Sequence, residues 1–262
     1  MSVVVYEHPL SPYAQKVKIA LDEKGVAYET RMPAAIGSGQ PDLDFLKANP
    51  RGEVPALIDD GFAVFDSTII LEYIEDKWPT PSLFPKSAMD RSIARTIEEV
   101  MDTSFAPINW GLGEIRWFKR AEGERARAIE ARAATQARGI YEWLTRQLGD
   151  NEWFNGATFG WGDLCVIPYL NGAAGSGLAP SQDTPLGKWQ ARANARTSVA
   201  KAAKAAADSI IGMSQVSDAV KSGFFKREYR DHRLEWMIRS GGLDVVLQGL
   251  KDNNIRFSNE LS

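Results

Sequence analysis

The first eighty residues alternate between two patterns of hydrophobic and polar positions. "SVVVYE" is a short apolar run typical of a strand, and "YAQKVKIALDEKG" carries apolar residues at mostly helical spacing before Gly25. "VAYETRM" predicts a second strand, "PDLDFLKANP" a short helix that ends at Pro50, and "VPALID" and "FAVFD" two strands around the turn "DDG". A helix from Ser67 to about Trp78 follows, with an apolar side formed by Ile69, Ile70, Tyr73 and Ile74. The predicted order over residues 1–80 is therefore β-α-β-α-β-β-α, an α/β domain.

The pattern changes after this unit. Three prolines between residues 79 and 85 cannot continue a helix, and they indicate a linker over residues 81–88. The chain beyond is compatible with helix almost throughout, and we expect an all-α domain over residues 89–214. A further amphipathic stretch predicts a C-terminal helical extension over residues 215–262. The predicted helices of the second domain cover 88–118, 121–148, 162–172, 185–194 and 198–211.

Composition narrows the function classes. With 44% hydrophobic and 25% charged residues, the chain is typical of a globular protein without a membrane span or signal peptide, which favours the cytoplasm. A net charge of −3 gives no general attraction for nucleic acid, and the basic run "FFKREYRDHR" at 224–233 alternates its charges like a solvated helix face. One cysteine, Cys165, and two histidines exclude an internal disulfide framework and argue against a metal cofactor.

Three short stretches carry candidate chemistry, and each also has a purely structural explanation. Ser11 precedes Pro12 at a predicted helix start, where it is either a helix cap or a hydroxyl beside the positive end of the helix dipole. In "NPRGEVPAL", Val54 precedes a proline at the start of a strand, which indicates an edge strand or a fixed kink whose free backbone groups could pair with an extended peptide. In "FDSTIILEYIEDKWP", Asp66 and Ser67 begin a helix; they are a cap, or a site for the carboxylate and ammonium of an amino acid.

These three stretches, in this order and followed by a helical domain, resemble the cytosolic glutathione transferases, in particular bacterial members of the serine type. The resemblance covers roughly residues 3–210 and is strongest in "SPYAQKVKIALDEKGV", "NPRGEVPAL" and "DSTIILEYIED". It implies a thioredoxin-like N-terminal domain, an all-α C-terminal domain, a homodimer, and glutathione as the co-substrate.

The resemblance also implies roles for individual residues. Ser11 would hydrogen-bond the glutathione sulfur, Val54 would pair with the cysteinyl backbone of glutathione, and Pro55 would be the family's cis-proline. Asp66 and Ser67 would hold the γ-glutamyl end, and Gln40 is the candidate near the glycine carboxylate, although "GSGQPD" lacks the basic residues often found there. The expected wall of the second-substrate pocket consists of Tyr13, Asn109, Trp110 and Trp117.

One departure from the family's pattern and two alternatives for the catalytic group bear on these roles. Gly160 stands where the family commonly has a Ser or Thr before the helix-capping Asp163, and we expect the helix to form and Asp163 to serve folding. Tyr6 is a second candidate for the catalytic hydroxyl, although its spacing fits a strand tyrosine better. Relatives of the cysteine type carry a thiol where Ser11 stands, so a mixed-disulfide mechanism is disfavoured.

The functional hypothesis is a glutathione transferase that activates the glutathione thiolate for attack on a hydrophobic, aromatic electrophile. Similar bacterial proteins cleave aryl ethers or displace halide, and the sequence leaves these outcomes open. A non-catalytic glutathione-fold protein that binds apolar ligands is the alternative from another class. The extension should pack back through Phe224, Phe225, Trp236 and Met237, either over the pocket mouth or against the partner subunit.

Overall fold

A four-stranded mixed sheet forms the N-terminal part of the protein. The computed structural model describes residues 2–34, 42–210 and 231–255. The strands lie in the order β2-β1-β3-β4; β1 is parallel to β2 and antiparallel to β3, and β4 is antiparallel to β3. The register pairs Val5 with Thr30 and with Leu57. The strands are β1 (Val3–Tyr6), β2 (Glu29–Arg31), β3 (Ala56–Asp59) and β4 (Phe62–Phe65).

Three helices accompany this sheet, and each begins at a side-chain cap. Helices α1 (Pro12–Glu23), α2 (Leu43–Ala48) and α3 (Ser67–Lys77) are capped by Ser11, Asp42 and Asp66. Such a cap accepts a hydrogen bond from one of the unpaired N–H groups of the first turn. The thioredoxin-like order β-α-β-α-β-β-α predicted from the sequence is confirmed. The predicted apolar side of α3 needs one correction, because Ile70 and Ile74 are buried but Ile69 is 55% exposed.

The C-terminal part is helical. The predicted helix over 88–118 consists of two α-helices joined by a π-helical turn at Met101–Phe105. One wider turn rotates the following helix relative to the preceding one. The helices are α4 (Ala88–Val100), α5 (Ala106–Arg116), α6 (Gly123–Leu148), α7 (Trp161–Gly175), α8 (Pro185–Asn194) and α9 (Thr197–Ile210), followed by α10 (Asp231–Arg239) and α11 (Leu243–Lys251).

A buried ion-pair network joins the two parts. The ammonium of Lys16 on α1 lies 2.6 Å from Glu98 on α4 and 2.6 Å from Asp102 in the π-helical turn. Glu98 also accepts hydrogen bonds from the hydroxyl of Thr68 and the indole of Trp161. Because every charge in this group has a partner, the two parts can pack tightly without an isolated buried charge.

The C-terminal extension packs back on the protein, as predicted. Trp236 and Met237 on α10 are buried, and the indole N–H of Trp236 donates to Gln136 on α6. None of residues 231–255 is among the residues that line the cavity described below, so this part of the extension does not cover its mouth. Phe224, Phe225 and the basic run at 224–230 lie outside the described residues.

Candidate active site

A large cavity lies between the sheet-bearing part and the helical part. Its volume is about 1280 Å³, above the roughly 300–1,000 Å³ usual for small-molecule sites. The segment from β1 to α1 lines one side, and helices α5, α7, α8 and α9 line the other. Many of the lining residues on α7, α8 and α9 are alanine or glycine, which explains why the cavity is wide.

Ser11 is a helix cap that also lines the cavity. Its Oγ accepts a hydrogen bond from the N–H of Ala14 at 3.3 Å, and its own N–H donates to the carbonyl of His8 at 2.8 Å. Capping uses one lone pair of the hydroxyl oxygen, so the O–H group can still donate a hydrogen bond. The structural and functional explanations of Ser11 are therefore compatible, because one hydroxyl can accept from the helix and donate into the cavity.

Val54 lines the same cavity and precedes a cis peptide bond to Pro55. Strand β3 begins only at Ala56, so Val54 stands just before the ladder. Within the described part of the chain, no group hydrogen-bonds the backbone N–H or C=O of Val54. An extended peptide placed along this segment would find one donor and one acceptor.

The other predicted binding residues lie apart from the cavity lining. Asp66 is exposed at the end of β4; its carboxylate accepts from the N–H of Thr68 at 3.0 Å and caps α3, and its φ is 74°. Ser67 is buried as the first residue of α3. Neither residue is among those that line the cavity, and Gln40 lies outside the described residues.

All four predicted wall residues line the cavity, on two elements. The hydroxyl of Tyr13 on α1 donates to the carbonyl of Asp102 at 2.8 Å, and its ring meets Tyr169 edge-on with centroids 5.9 Å apart. The amide of Asn109 on α5 donates to the carbonyl of Tyr169 at 2.8 Å. Trp110 lies on α5 and Trp117 caps its C-terminal end. Both are half-buried and complete an aromatic wall.

Burial and neighbouring charges shift the pKa values of the groups beneath this wall. Burial alone would lower the pKa of Lys16, but the charges of Asp102 and Glu98 outweigh it and raise that pKa. Burial raises the pKa of the Tyr169 hydroxyl and of the Cys165 thiol well above their ordinary values. The Cys165 thiol is fully buried, so it is not available as a nucleophile in the cavity. Among the described residues, no three His, Cys, Asp or Glu side chains are grouped as a metal site requires.

Tyr6 and Asp163, both discussed from the sequence, have structural roles outside the cavity lining. Tyr6 is buried on β1 against Phe45, with ring centroids 5.2 Å apart, and does not line the cavity. Asp163 caps α7 by accepting from the N–H of Gly160 at 3.0 Å, and it also accepts from the indole of Trp189 at 2.7 Å.

No helix in the described ranges is long and apolar enough to cross a membrane.

Sequence reasoning missed the polar residues on the far wall of the cavity. Asn171 on α7 and Gln190 and Asn194 on α8 line this wall. His8 before α1 and Gln15 on α1 line the opposite side and were also missed. Isolated amides on two helices give no pattern that distinguishes a pocket from a solvated face. A signal was present only in α7, where Asn171 follows an otherwise apolar run from Leu164 to Leu170.

Known proteins with similar sequences and folds identify the family. A sequence model of the N-terminal domain of glutathione S-transferases matches residues 5–82. Glutathione S-transferase U8 of Arabidopsis thaliana is 30% identical over 188 residues, which cover 68% of this chain and 79% of that protein.

Solved structures agree with this. A glutathione S-transferase from Rhodospirillum rubrum superposes with a TM-score of 0.66 at 27% identity, over 76% of this chain and 91% of that one. A rice glutathione S-transferase solved in complex with glutathione superposes with a TM-score of 0.62 at 26% identity, over 80% of this chain and 95% of that one. The chain belongs to the glutathione S-transferase family.

Proposed function

We propose that this glutathione transferase binds glutathione beside Ser11 and transfers it to an uncharged, hydrophobic, aromatic electrophile in the cavity. The observation that carries the proposal is the pairing of two features in one cavity. Val54 offers a backbone donor and acceptor without partners in the described part of the chain, and Ser11 offers a hydroxyl at a helix N-terminus. A cysteinyl peptide held by Val54 would bring its thiol toward such a hydroxyl.

The remaining binding roles extend this arrangement along the glutathione molecule. We assign the γ-glutamyl end to Asp66 and Ser67 at the start of α3, where an exposed carboxylate suits an ammonium group. Pro55 fixes the direction of the chain after Val54, and Gln40 takes the glycine carboxylate. The rice relative solved with glutathione supports glutathione as the ligand.

The chemical task of the site is to ionise the thiol. A thiol with an ordinary pKa near 8.5 is only a few per cent thiolate at neutral pH. The Ser11 hydroxyl donates a hydrogen bond to the thiolate, and the N-terminus of α1 adds its positive dipole. Serine is too weak a base to keep the thiol proton, which therefore goes to solvent.

The transfer step is a displacement at carbon. The thiolate sulfur attacks the electrophilic carbon, a carbon–sulfur bond forms, and the bond to the leaving group breaks with its electron pair. Chloride leaves as the anion, whereas a phenolate from an aryl ether takes up a proton from water. Both dehalogenation and β-aryl ether cleavage fit this step. Tyr13, Asn109, Trp110 and Trp117 form the wall against which the aromatic body lies.

The test is an ultraviolet difference titration of glutathione bound to the purified protein, in which thiolate absorbance is followed against pH. We expect a thiol pKa well below that of free glutathione, together with turnover of a chloroarene or of an aryl ether. Saturable binding with an unshifted pKa and no turnover would overturn the proposal in favour of a non-catalytic ligand-binding protein.

The organisation of the chain completes the proposal. We assign residues 1–80 to the glutathione-binding domain, 81–88 to the linker, 89–214 to the helical domain and 215–262 to the extension. A cytoplasmic homodimer fits the family. We assign the partner to the exposed apolar side chains of β4, α3 and α4, which are Phe62, Ile69, Met89 and Ile93.

A further inference from the structure

Three amide side chains on α7 and α8 form a hydrogen-bonded cluster in the wall of the cavity. The Nδ2 of Asn171 donates to the Oδ1 of Asn194 at 2.8 Å, and the Nδ2 of Asn194 donates back to the Oδ1 of Asn171 at 3.0 Å. The Nε2 of Gln190 donates to the same Oδ1 of Asn171 at 3.1 Å. All three residues line the cavity, so the cluster fixes three amides at its surface.

The cluster keeps hydrogen-bonding capacity that its own members do not use. Each amide nitrogen has two hydrogens, and each donates one within the cluster, which leaves a second hydrogen on each. Gln190 is only 8% exposed, yet no group in the described ranges donates to its Oε1. Because Gln190 lines the cavity, its Oε1 and the second amide hydrogens are groups that a molecule in the cavity can reach.

The described residues that line the cavity include no acidic side chain and neither lysine nor arginine. An ionised second substrate placed against the cluster would lose part of its hydration without gaining a counter-charge from these residues, and this costs free energy. A hydroxyl group is the neutral group that matches the cluster, because it can donate to Gln190 and accept from an amide hydrogen at once.

We propose that the amide cluster of Asn171, Gln190 and Asn194 binds a hydroxyl group of the second substrate, so that the enzyme selects uncharged aromatic electrophiles that carry a hydroxyl away from the reacting carbon. This inference rests on the proposed function, because it concerns the second substrate of the same cavity. Asn109, Trp110 and Trp117 bind the aromatic body, and the cluster orients it.

A matched series of chloroacetyl aromatics tests the selection. One-ring and two-ring compounds are prepared with hydrogen, hydroxyl or carboxylate para to the reactive substituent, and chloride release is measured with glutathione. Each rate is divided by the uncatalysed rate of the same compound, which removes differences in intrinsic reactivity. We expect kcat/KM about tenfold higher for the hydroxyl compound than for the unsubstituted one in at least one ring series, and lowest for the carboxylate.

Variants locate the selection in the cluster. Gln190→Met keeps the side-chain length but removes both polar groups, and it should bring the hydroxyl preference to about one. Asn194→Leu is a second probe of the cluster, and Gln182→Met is a control at a cavity-lining glutamine outside it, which should keep the preference.

The outcomes separate this inference from the proposed function. Turnover without hydroxyl preference in both series, or a preference that survives Gln190→Met and Asn194→Leu, overturns the amide site alone. No turnover of any compound, together with an unshifted thiol pKa, overturns the proposed function as well.

Discussion

The indole of Trp236 lies directly on Gly111. A Cβ built on Gly111 would lie 2.1 Å from Cζ3 of Trp236 and 2.7 Å from Cε3, closer than atoms can approach. Gly111 is buried on α5, the helix whose Asn109 and Trp110 line the cavity. The extension therefore packs against a helix that lines the cavity.

Gly111→Ala should destabilise the protein by about 1–3 kcal/mol, because the added methyl group must displace the indole from a packed position. The free energy of unfolding in urea measures this. Gly139→Ala is the matched control, since Gly139 is exposed on α6 and a Cβ there would meet nothing within 4 Å. That control should be stabilised by about 0.5–1 kcal/mol through helix propensity. Equal stability of the two variants would show that Trp236 does not rest on Gly111 in solution.

Local patterns predicted most of the elements but not this contact. Proline, glycine and cap residues define helix ends within the chain, which is why Pro185–Asn194 agrees with its prediction residue for residue. Gly111 and Trp236 lie far apart in sequence, and a glycine within a helix does not reveal what packs on it. The same reason hid the amide cluster, since Asn171 and Gln190 meet only through the packing of α7 on α8. Ser11, Tyr13 and Val54 could be singled out as candidates because they belong to recognisable stretches of the sequence.

Ser11→Ala should raise the thiol pKa of bound glutathione toward its free value and lower kcat/KM by about 10–100-fold, because a hydrogen bond to the thiolate is lost. The variant also loses a helix cap, so a cap without a place in the cavity is needed as a control. Ser87→Ala serves, since the Oγ of Ser87 accepts from the N–H of Asp90 at 3.0 Å at the start of α4. It should cost about 1 kcal/mol of stability and leave the kinetics unchanged. Equal turnover in wild type and Ser11→Ala would return Ser11 to a purely structural role.

Ile69→Lys should convert a dimer to a monomer in sedimentation equilibrium, because Ile69 is 55% exposed on α3 and is one of the apolar side chains of the proposed interface. Leu250→Lys is the control, since Leu250 is also 55% exposed but lies on α11 of the extension. Dissociation by Leu250→Lys and not by Ile69→Lys would place the partner on the extension instead.

Lys16→Met should destabilise the protein by about 3–5 kcal/mol, since Glu98 and Asp102 would then face each other in a buried site without a counter-charge. Denaturation in urea measures the loss. Lys204→Met removes a lysine that pairs with Asp208 at the surface. This control should leave the urea concentration at the midpoint of unfolding unchanged. A stable Lys16→Met protein would mean that one of the two carboxyl groups takes up a proton at little cost.

Asp163 gives a prediction for pH. Burial raises the pKa of Asp163 from 3.8 to about 6, against the opposing effect of its hydrogen bonds from Trp189, Phe154, Gly160 and Asn155. The folded protein thus holds this proton more tightly than the unfolded chain. The contribution of Asp163 to stability is complete below its unfolded pKa and is lost as the pH rises through about 6.

The measurement compares wild type with Asp163→Asn, because the amide does not titrate. A shift from 3.8 to about 6 corresponds to about 3 kcal/mol. The free energy of unfolding of wild type minus that of the variant should therefore fall by about that amount between about pH 3 and pH 7. A difference that instead grows with pH would show that the N–H donors around Asp163 outweigh its burial and hold the carboxylate ionised. In that case the cap of α7 would be strongest at neutral pH, where the proposed thiolate chemistry takes place.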